Sequence, residues 1–202
     1  MLGLNKSPET PMDYFCLALR LSLGERCPYT KKHGVRVSTM AVSIGALLGL
    51  SKRDLSILKY AAACHDIGKL GLPDQLLYKP APFNEAEWAL MRTHSERGAN
   101  LFRDSEVEDA DEIAMVIEQH HEHFDGSGYP RGLVGETIDL RSRIISVVDS
   151  YDAMALPRVY QRARTHREIM NVLEHERGSK HDPAVLDVFF QVFLLKTEGE
   201  QQ

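Results

Sequence analysis

From Tyr29 onward, apolar residues recur at three- and four-residue intervals. Val35, Val37, Met40, Ala41, Ile44, Leu47 and Leu48 trace one helical stripe, with Gly49 near its end. Ser51 can cap the next stretch, KRDLSILKYAAACHDIG, in which Leu55, Leu58 and Ala62 form the expected inward face. A loop containing Gly71, Pro73, Pro80 and Pro82 follows. Asn84 and Glu87 then make a capping arrangement for EAEWALMRTHSERGANLF, read as one helix with His94 in its middle and Trp88 packed between helices. Further helices are predicted at about 111–123 and 140–156. Thr165 with Glu168 forms another capping box, and Asp182–Pro183 suits the start of a last helix. No run alternates at the two-residue period of a strand over any length. The pattern predicts an all-α fold.

The first 28 residues, interrupted by Pro8, Pro11 and Pro28, are expected to be a partly helical lead-in. One domain is expected over 29–196, with a polar tail at 197–202; the whole chain of 202 residues suffices for one core. A net charge of −5 offers no general basic field, which argues against DNA, RNA or an anionic membrane as partners. No stretch approaches the ~20 apolar residues of a spanning helix. Cys16, Cys27 and Cys64 form no C-x-x-C pair and no even framework, which points to a reducing, cytoplasmic setting, with Cys64 a small buried filler.

The polar residues on these helices change the picture. His33 lies near the start of one helix, and His65–Asp66 closes another inside AAACHDIGKL. His94 follows on a third, His120–His121 end a fourth, and Asp149 interrupts IISVVDSYDAM. A lone histidine on an apolar face is most often a hydrogen-bonded core residue. Five histidines and two aspartates, two of the pairs adjacent, are harder to treat that way. Burying each without a partner would cost roughly 1–3 kcal/mol. Divalent metal binding would satisfy them together, and nitrogen and oxygen donors without thiolate suit iron, manganese, zinc or nickel. Asp66 could bridge two ions, one held by His33, His65, Asp66 and Asp149, the other by Asp66, His94, His120 and His121. Such a pair is the usual arrangement for hydrolysing phosphoesters.

His65–Asp66 within HDIGK, together with His120 to Pro130 as HHEHFDGSGYP, closely resembles the HD-GYP family of HD metal-dependent phosphohydrolases. Every fixed position of HHExxDGxGYP is present, and the resemblance extends over roughly residues 29–190. It implies an all-helical HD bundle with a GYP loop beside a bimetal cleft. The implied activity is hydrolysis of cyclic di-GMP to pGpG, GMP or both through a metal-activated hydroxide, with two divalent ions, iron or manganese ahead of zinc and nickel. The family's ligand positions fall on the seven residues above. Lys69 matches a lysine close to the scissile phosphate, so the resemblance assigns catalytic roles to Asp66 and Lys69 and substrate contacts to Lys69, Tyr129 and Arg158. Glu122 and Asp125 would fix the loop, Gly126 and Gly128 would let it turn, Pro130 would stiffen its exit, and His123 would be solvent-exposed.

Two departures matter. Tyr29 stands where some family members carry a glutamate for a third metal, so two ions are expected. After Asp149 the chain keeps Arg158 and Tyr160 of the family's arginine–tyrosine pattern, but Pro157 and Gln161 replace an aspartate and a basic residue, leaving Arg162 or Arg164 to substitute. Loss of one charge-assisted contact would weaken ligand binding by ~1.5–3 kcal/mol. These changes motivate two alternatives: a phosphohydrolase for another cyclic dinucleotide, and a module that senses cyclic di-GMP or docks a GGDEF-type partner with little or no turnover. A homodimer is left open.

Overall fold

The computed structural model describes residues 8–156 and 163–199, the side chains at 28, 29, 31 and from 193 onward excepted. Among them the architecture is all-α, without a strand. The helices are α1 (Pro11–Arg26), α2 (Pro28–Leu47), α3 (Lys52–Cys64), α4 (Asp74–Leu77), α5 (Glu85–Arg92), α6 (His94–Arg103), α7 (Ala110–Gln119), α8 (Leu140–Ala155), α9 (His166–His175) and α10 (Pro183–Gly199). Short 3₁₀ turns at Ile67–Gly71 and Gly135–Thr137 join α3 to α4 and lead into α8. No helix among the described residues is long and apolar enough to cross a membrane.

Local chemistry sets many of the boundaries. Ser51 accepts from the Asp54 amide at the start of α3, and capping boxes at Asn84/Glu87 and Thr165/Glu168 open α5 and α9. Asp182 accepts from the Ala184 amide at 2.8 Å, next to the proline that begins α10. The lead-in carries α1, a helix of 16 residues with its own capping box at Thr10/Asp13. Its Met12, Cys16 and Leu23 belong to the same buried cluster as the rest of the chain. Asp13 also reaches across to α3, accepting from the Tyr60 hydroxyl at 2.9 Å with Lys59 Nζ at 3.5 Å.

α2 packs on α3 and α8, and α6 packs on α7. Val37, Ala41 and Ile44 from α2 meet Leu58, Ala61 and Ala62 from α3, Ile113 and Ile117 from α7, and Ile144, Ile145 and Val148 from α8 in one apolar core. Of the predicted inward residues Leu58 and Ala62 are buried and Leu55 is half-buried, whereas Leu47 is exposed.

Three expectations need correction. The single helix read over EAEWALMRTHSERGANLF is two, broken at Thr93, so His94 opens α6 instead of sitting mid-helix. Here Thr93 Oγ1 donates to the Leu90 carbonyl at 2.7 Å and His94 Nδ1 takes the Met91 carbonyl at 2.8 Å, so side chains serve carbonyls at the end of α5. The helix expected at 111–123 stops at Gln119. Trp88 does not pack between helices: it is 47% exposed and stands edge-on to Phe83.

Candidate metal centre

His33 projects from the second turn of α2, His65 caps α3, and Asp66 leads into the first 3₁₀ turn. His94 opens α6, His120 caps α7 with His121 next to it, and Asp149 lies in α8. The fold brings all seven together. His33 Nε2 is 3.3 Å from His65 Nε2 and 3.0 Å from Asp149 Oδ1, and His65 Nε2 is 3.6 Å from that same oxygen. Asp66 faces both ways, with Oδ2 3.8 Å from His65 Nε2 and Oδ1 3.5 Å from His94 Nε2. The His94 and His121 rings are 5.0 Å apart and those of His120 and His121 3.9 Å. The donor atoms form two clusters, His33/His65/Asp66 and His94/His120/His121, each with all its atoms within 4.8 Å of one another.

A glycine permits this convergence. A Cβ on Gly68 would lie 1.9 Å from the His94 carbonyl oxygen, so only glycine lets the 3₁₀ turn that follows Asp66 touch the start of α6.

Each of four rings has its Nδ1 committed outside the cleft. His65, His94 and His120 donate to the carbonyls of Ala62, Met91 and Ile117 at 2.8, 2.8 and 2.5 Å, and His33 donates to Asp152 Oδ2 at 2.7 Å. In His65, His94 and His120 that fixes Nδ1 as the protonated nitrogen and turns Nε2 inward as a bare acceptor. The Nε2 atoms of His94 and His120 are buried and make no hydrogen bond. Acceptors aimed at one another and at two carboxylates repel unless a cation lies between them, so this donor set fits a divalent metal. Burial pushes His94 down to about 4 and His120 to about 3, and holds His121 well below its usual value, so the second cluster is neutral at physiological pH as a ligand set requires. For His33 burial pulls the other way from Asp149 and Asp152, and the carboxylates prevail, pushing it up to about 9. Burial would raise Asp66 and Asp149, but Lys69 and His65 beside the first, and His33 and His65 beside the second, hold both well below the usual carboxylate range.

Lys69 Nζ lies 2.7 Å from Asp66 Oδ2 and is about a quarter exposed. Tyr129 stacks on His121 at 4.9 Å, its amide donating to the His121 carbonyl at 3.1 Å. The loop that carries it is held by Glu122, buried, whose two oxygens accept from the amides of Arg131 (2.7 Å) and Leu133 (3.0 Å). Asp125 is exposed and accepts from the Ser127 amide at 2.9 Å. Gly126 has φ 85°, and a Cβ on Gly128 would lie 2.2 Å from the His123 nitrogen. Pro130 follows Tyr129 through a cis peptide bond. His123, expected to be exposed, is half-buried with Nδ1 2.9 Å from Ser127 Oγ. The Tyr29 side chain and the segment 157–162, with Arg158 and Tyr160, lie outside the described residues. Arg164 Nη1 lies 3.4 Å from the Met154 sulfur.

Sequence reasoning missed three contributors. Asp152 orients His33 and is gripped by Arg36, with Nε–Oδ1 at 2.7 Å and Nη2–Oδ2 at 2.8 Å. Its signal was the spacing: Asp152 lies three residues after Asp149, as Arg36 does after His33, each pair sharing a helix face. Glu118, buried, accepts from Arg103 at 2.7 Å and Arg131 at 3.0 Å, tying the loop exit to α7; only the folded loop brings Arg131 there.

The sequence profile described as "HD domain" matches residues 19–185. Among curated proteins, the chain is 38% identical over 156 residues to the "Cyclic di-GMP phosphodiesterase response regulator RpfG" of Xanthomonas campestris, covering 77% of this chain and 41% of that protein. It is 33% identical to the "3'3'-cGAMP-specific phosphodiesterase 2" of Vibrio cholerae, covering 80% and 31%. It is also 33% identical to a "Cyclic di-GMP phosphodiesterase" of Thermotoga maritima, covering 81% and 44%. The chain thus spans less than half the length of these relatives. Among solved structures, the V. cholerae cyclic GMP-AMP phosphodiesterase V-cGAP3 superposes with a TM-score of 0.70 at 20% identity, covering 89% of this chain and 48% of that one. The PgpH HD domain of L. monocytogenes gives 0.62 at 15% identity, covering 91% and 99%, so the fold is shared well beyond recognisable sequence. With the converged His/Asp cleft and the intact HHEHFDGSGYP loop, these matches establish that the chain belongs to the HD domain family, in its HD-GYP branch.

Proposed function

We propose that this chain is a metal-dependent phosphodiesterase that hydrolyses cyclic di-GMP to pGpG, GMP or both. The observation that carries the reading is the pair of donor clusters facing each other across Asp66, with the Nε2 atoms of His94 and His120 buried and unpaired. His33, His65, Asp66 and Asp149 would hold one divalent ion, and Asp66, His94, His120 and His121 the other, iron or manganese ahead of zinc and nickel. When bound, such a pair supplies an activated water and neutralises charge on the phosphoryl oxygens. The protein's own groups supply the rest. Lys69, now against Asp66, can swing its ammonium onto a non-bridging oxygen or the leaving oxygen. Tyr129 would present its ring to a guanine or ribose, and Arg158, by its match to the family's arginine, would pair with a phosphate. Glu122 and Asp125 keep the loop in place. The three free cysteines suit a reducing, cytoplasmic setting.

Protein purified without oxygen and loaded with iron or manganese should convert cyclic di-GMP to linear product, and His65→Ala or Asp66→Ala should abolish conversion. Intact substrate after incubation with the loaded wild type would refute the reading. A second substrate has a specific motive: relatives named for 3′3′-cGAMP are as similar to the chain, at 33–35% identity, as several named for cyclic di-GMP. A panel of both dinucleotides ranks them directly.

A further inference from the structure

Arg92 ends α5 two residues before His94, and its guanidinium carbon lies 5.5 Å from the centre of the Tyr129 ring. Lys69, beside Asp66, is engaged by that carboxylate at 2.7 Å. Elsewhere Arg36, Arg103, Arg131 and Arg141 each pair with one or more carboxylates. Arg92 is exposed, and among the described residues its guanidinium meets no carboxylate and donates no hydrogen bond. An uncompensated cation therefore stands over the aromatic ring that stacks on His121.

A cyclic dinucleotide carries two phosphodiesters in one ring. If one lies at Asp66 and Lys69 to be cleaved, the other keeps its negative charge throughout the reaction and must be placed against something. A guanidinium within cation–π range of an aromatic face suits that task, since the attraction to the ring leaves its fork of donors free for two phosphate oxygens. We propose that Arg92 is a substrate-binding residue that holds the phosphate not being cleaved, an assignment that rests on the phosphodiesterase reading above. It acts on binding, so its removal moves KM and leaves the chemical step.

The test uses the metal-loaded full chain, Arg92→Ala and Arg92→Lys, with two substrates: cyclic di-GMP, and bis(p-nitrophenyl) phosphate, a diester with no second phosphate. Arg92→Ala should raise KM for cyclic di-GMP about ten- to a hundredfold, the value of one charge-assisted contact, with kcat within about threefold. Turnover of bis(p-nitrophenyl) phosphate should stay within about twofold, and Arg92→Lys should recover part of the lost affinity. Unchanged KM for cyclic di-GMP overturns the assignment. So does an equal loss on both substrates, which would mean that Arg92 supports the site's structure. A wild type that neither hydrolyses cyclic dinucleotides nor binds them by calorimetry sinks the phosphodiesterase reading itself, a failure visible before any Arg92 variant is made.

Discussion

Glu122 offers the sharpest test of how the GYP loop is held. Its side chain is 2% exposed as a residue, and its two oxygens each receive one backbone amide, Arg131 at 2.7 Å and Leu133 at 3.0 Å. Glu122→Gln keeps the shape and removes the charge. One oxygen remains, so one amide keeps an acceptor, but that bond falls from charge-assisted to neutral and weakens by about 1 kcal/mol. The new NH2 faces the other amide, donor against donor, which forfeits that bond and leaves a part-buried N–H without its partner, about 2 kcal/mol more. The sum is about 3 kcal/mol. In a chain of this length that lowers Tm by roughly 6–12 °C if the loop unfolds with the core. If the loop opens by itself the loss appears instead as faster hydrogen exchange at the Arg131 and Leu133 amides. Differential scanning calorimetry and exchange measured by mass spectrometry together cover both cases. A variant with Tm within about 2 °C of wild type and unchanged protection at 131–133 would show that Glu122 is not what holds the loop.

Three further outcomes follow from the geometry. Asp152→Asn should weaken metal binding about 10- to 100-fold in chelator competition by loosening the grip on His33, and Arg36→Ala should do so to a smaller degree; equal affinities would mean that His33 needs no such support. Gly68→Ala should lower both Tm and metal content, because its Cβ meets the His94 carbonyl backbone and cannot be accommodated by a side-chain shift; a normally metallated, equally stable variant would contradict the close approach. Asp13 is held down to about 2: burial opposes the shift, but the bonds from Tyr60, Thr10 and the Glu9 amide, with Lys59 nearby, outweigh it. A depressed carboxylate stabilises the fold above its unfolded value near 3.8, and that stability, about 2 kcal/mol, is lost as pH falls toward 2. Denaturation of wild type and Asp13→Asn should therefore differ at pH 6 and converge as pH drops below 4, and a pH-independent gap would remove the carboxylate from the account.

What could be read from the residues, and what could not, divides along the range of the interaction. Ser51, Asn84 with Glu87, and Thr165 with Glu168 act within three residues, so the helix starts they set are legible as spacings. The break at Thr93 is not, since it coincides with the approach of Gly68, twenty-six positions away by number, to the His94 carbonyl. Trp88 misled for a related reason: periodicity shows that a residue shares a face with others but not whether another helix covers that face. Glu118 gained its meaning only when Arg131 folded back over it.

The ligand histidines fall on both sides of this division, and the reason is where they sit on their helices. The last carbonyls of an α-helix lack N–H partners. His65, His94 and His120 each stand at or just past such an end and donate Nδ1–H to the carbonyl three residues back, at Ala62, Met91 and Ile117. One bond satisfies a stray carbonyl, fixes the tautomer and aims Nε2 away from the helix, so the orientation of three ligands is a local consequence of placing histidine at a helix end. His33 has no such carbonyl to use, because it lies within α2 where the backbone bonds are closed. Its Nδ1 needs an acceptor from another element, and Asp152 of α8, gripped by Arg36, supplies it. That difference explains why Asp152 escaped the sequence reading while the other three rings needed no distant partner, and it places the metal site's sensitivity to distant mutation on the contact between α2 and α8.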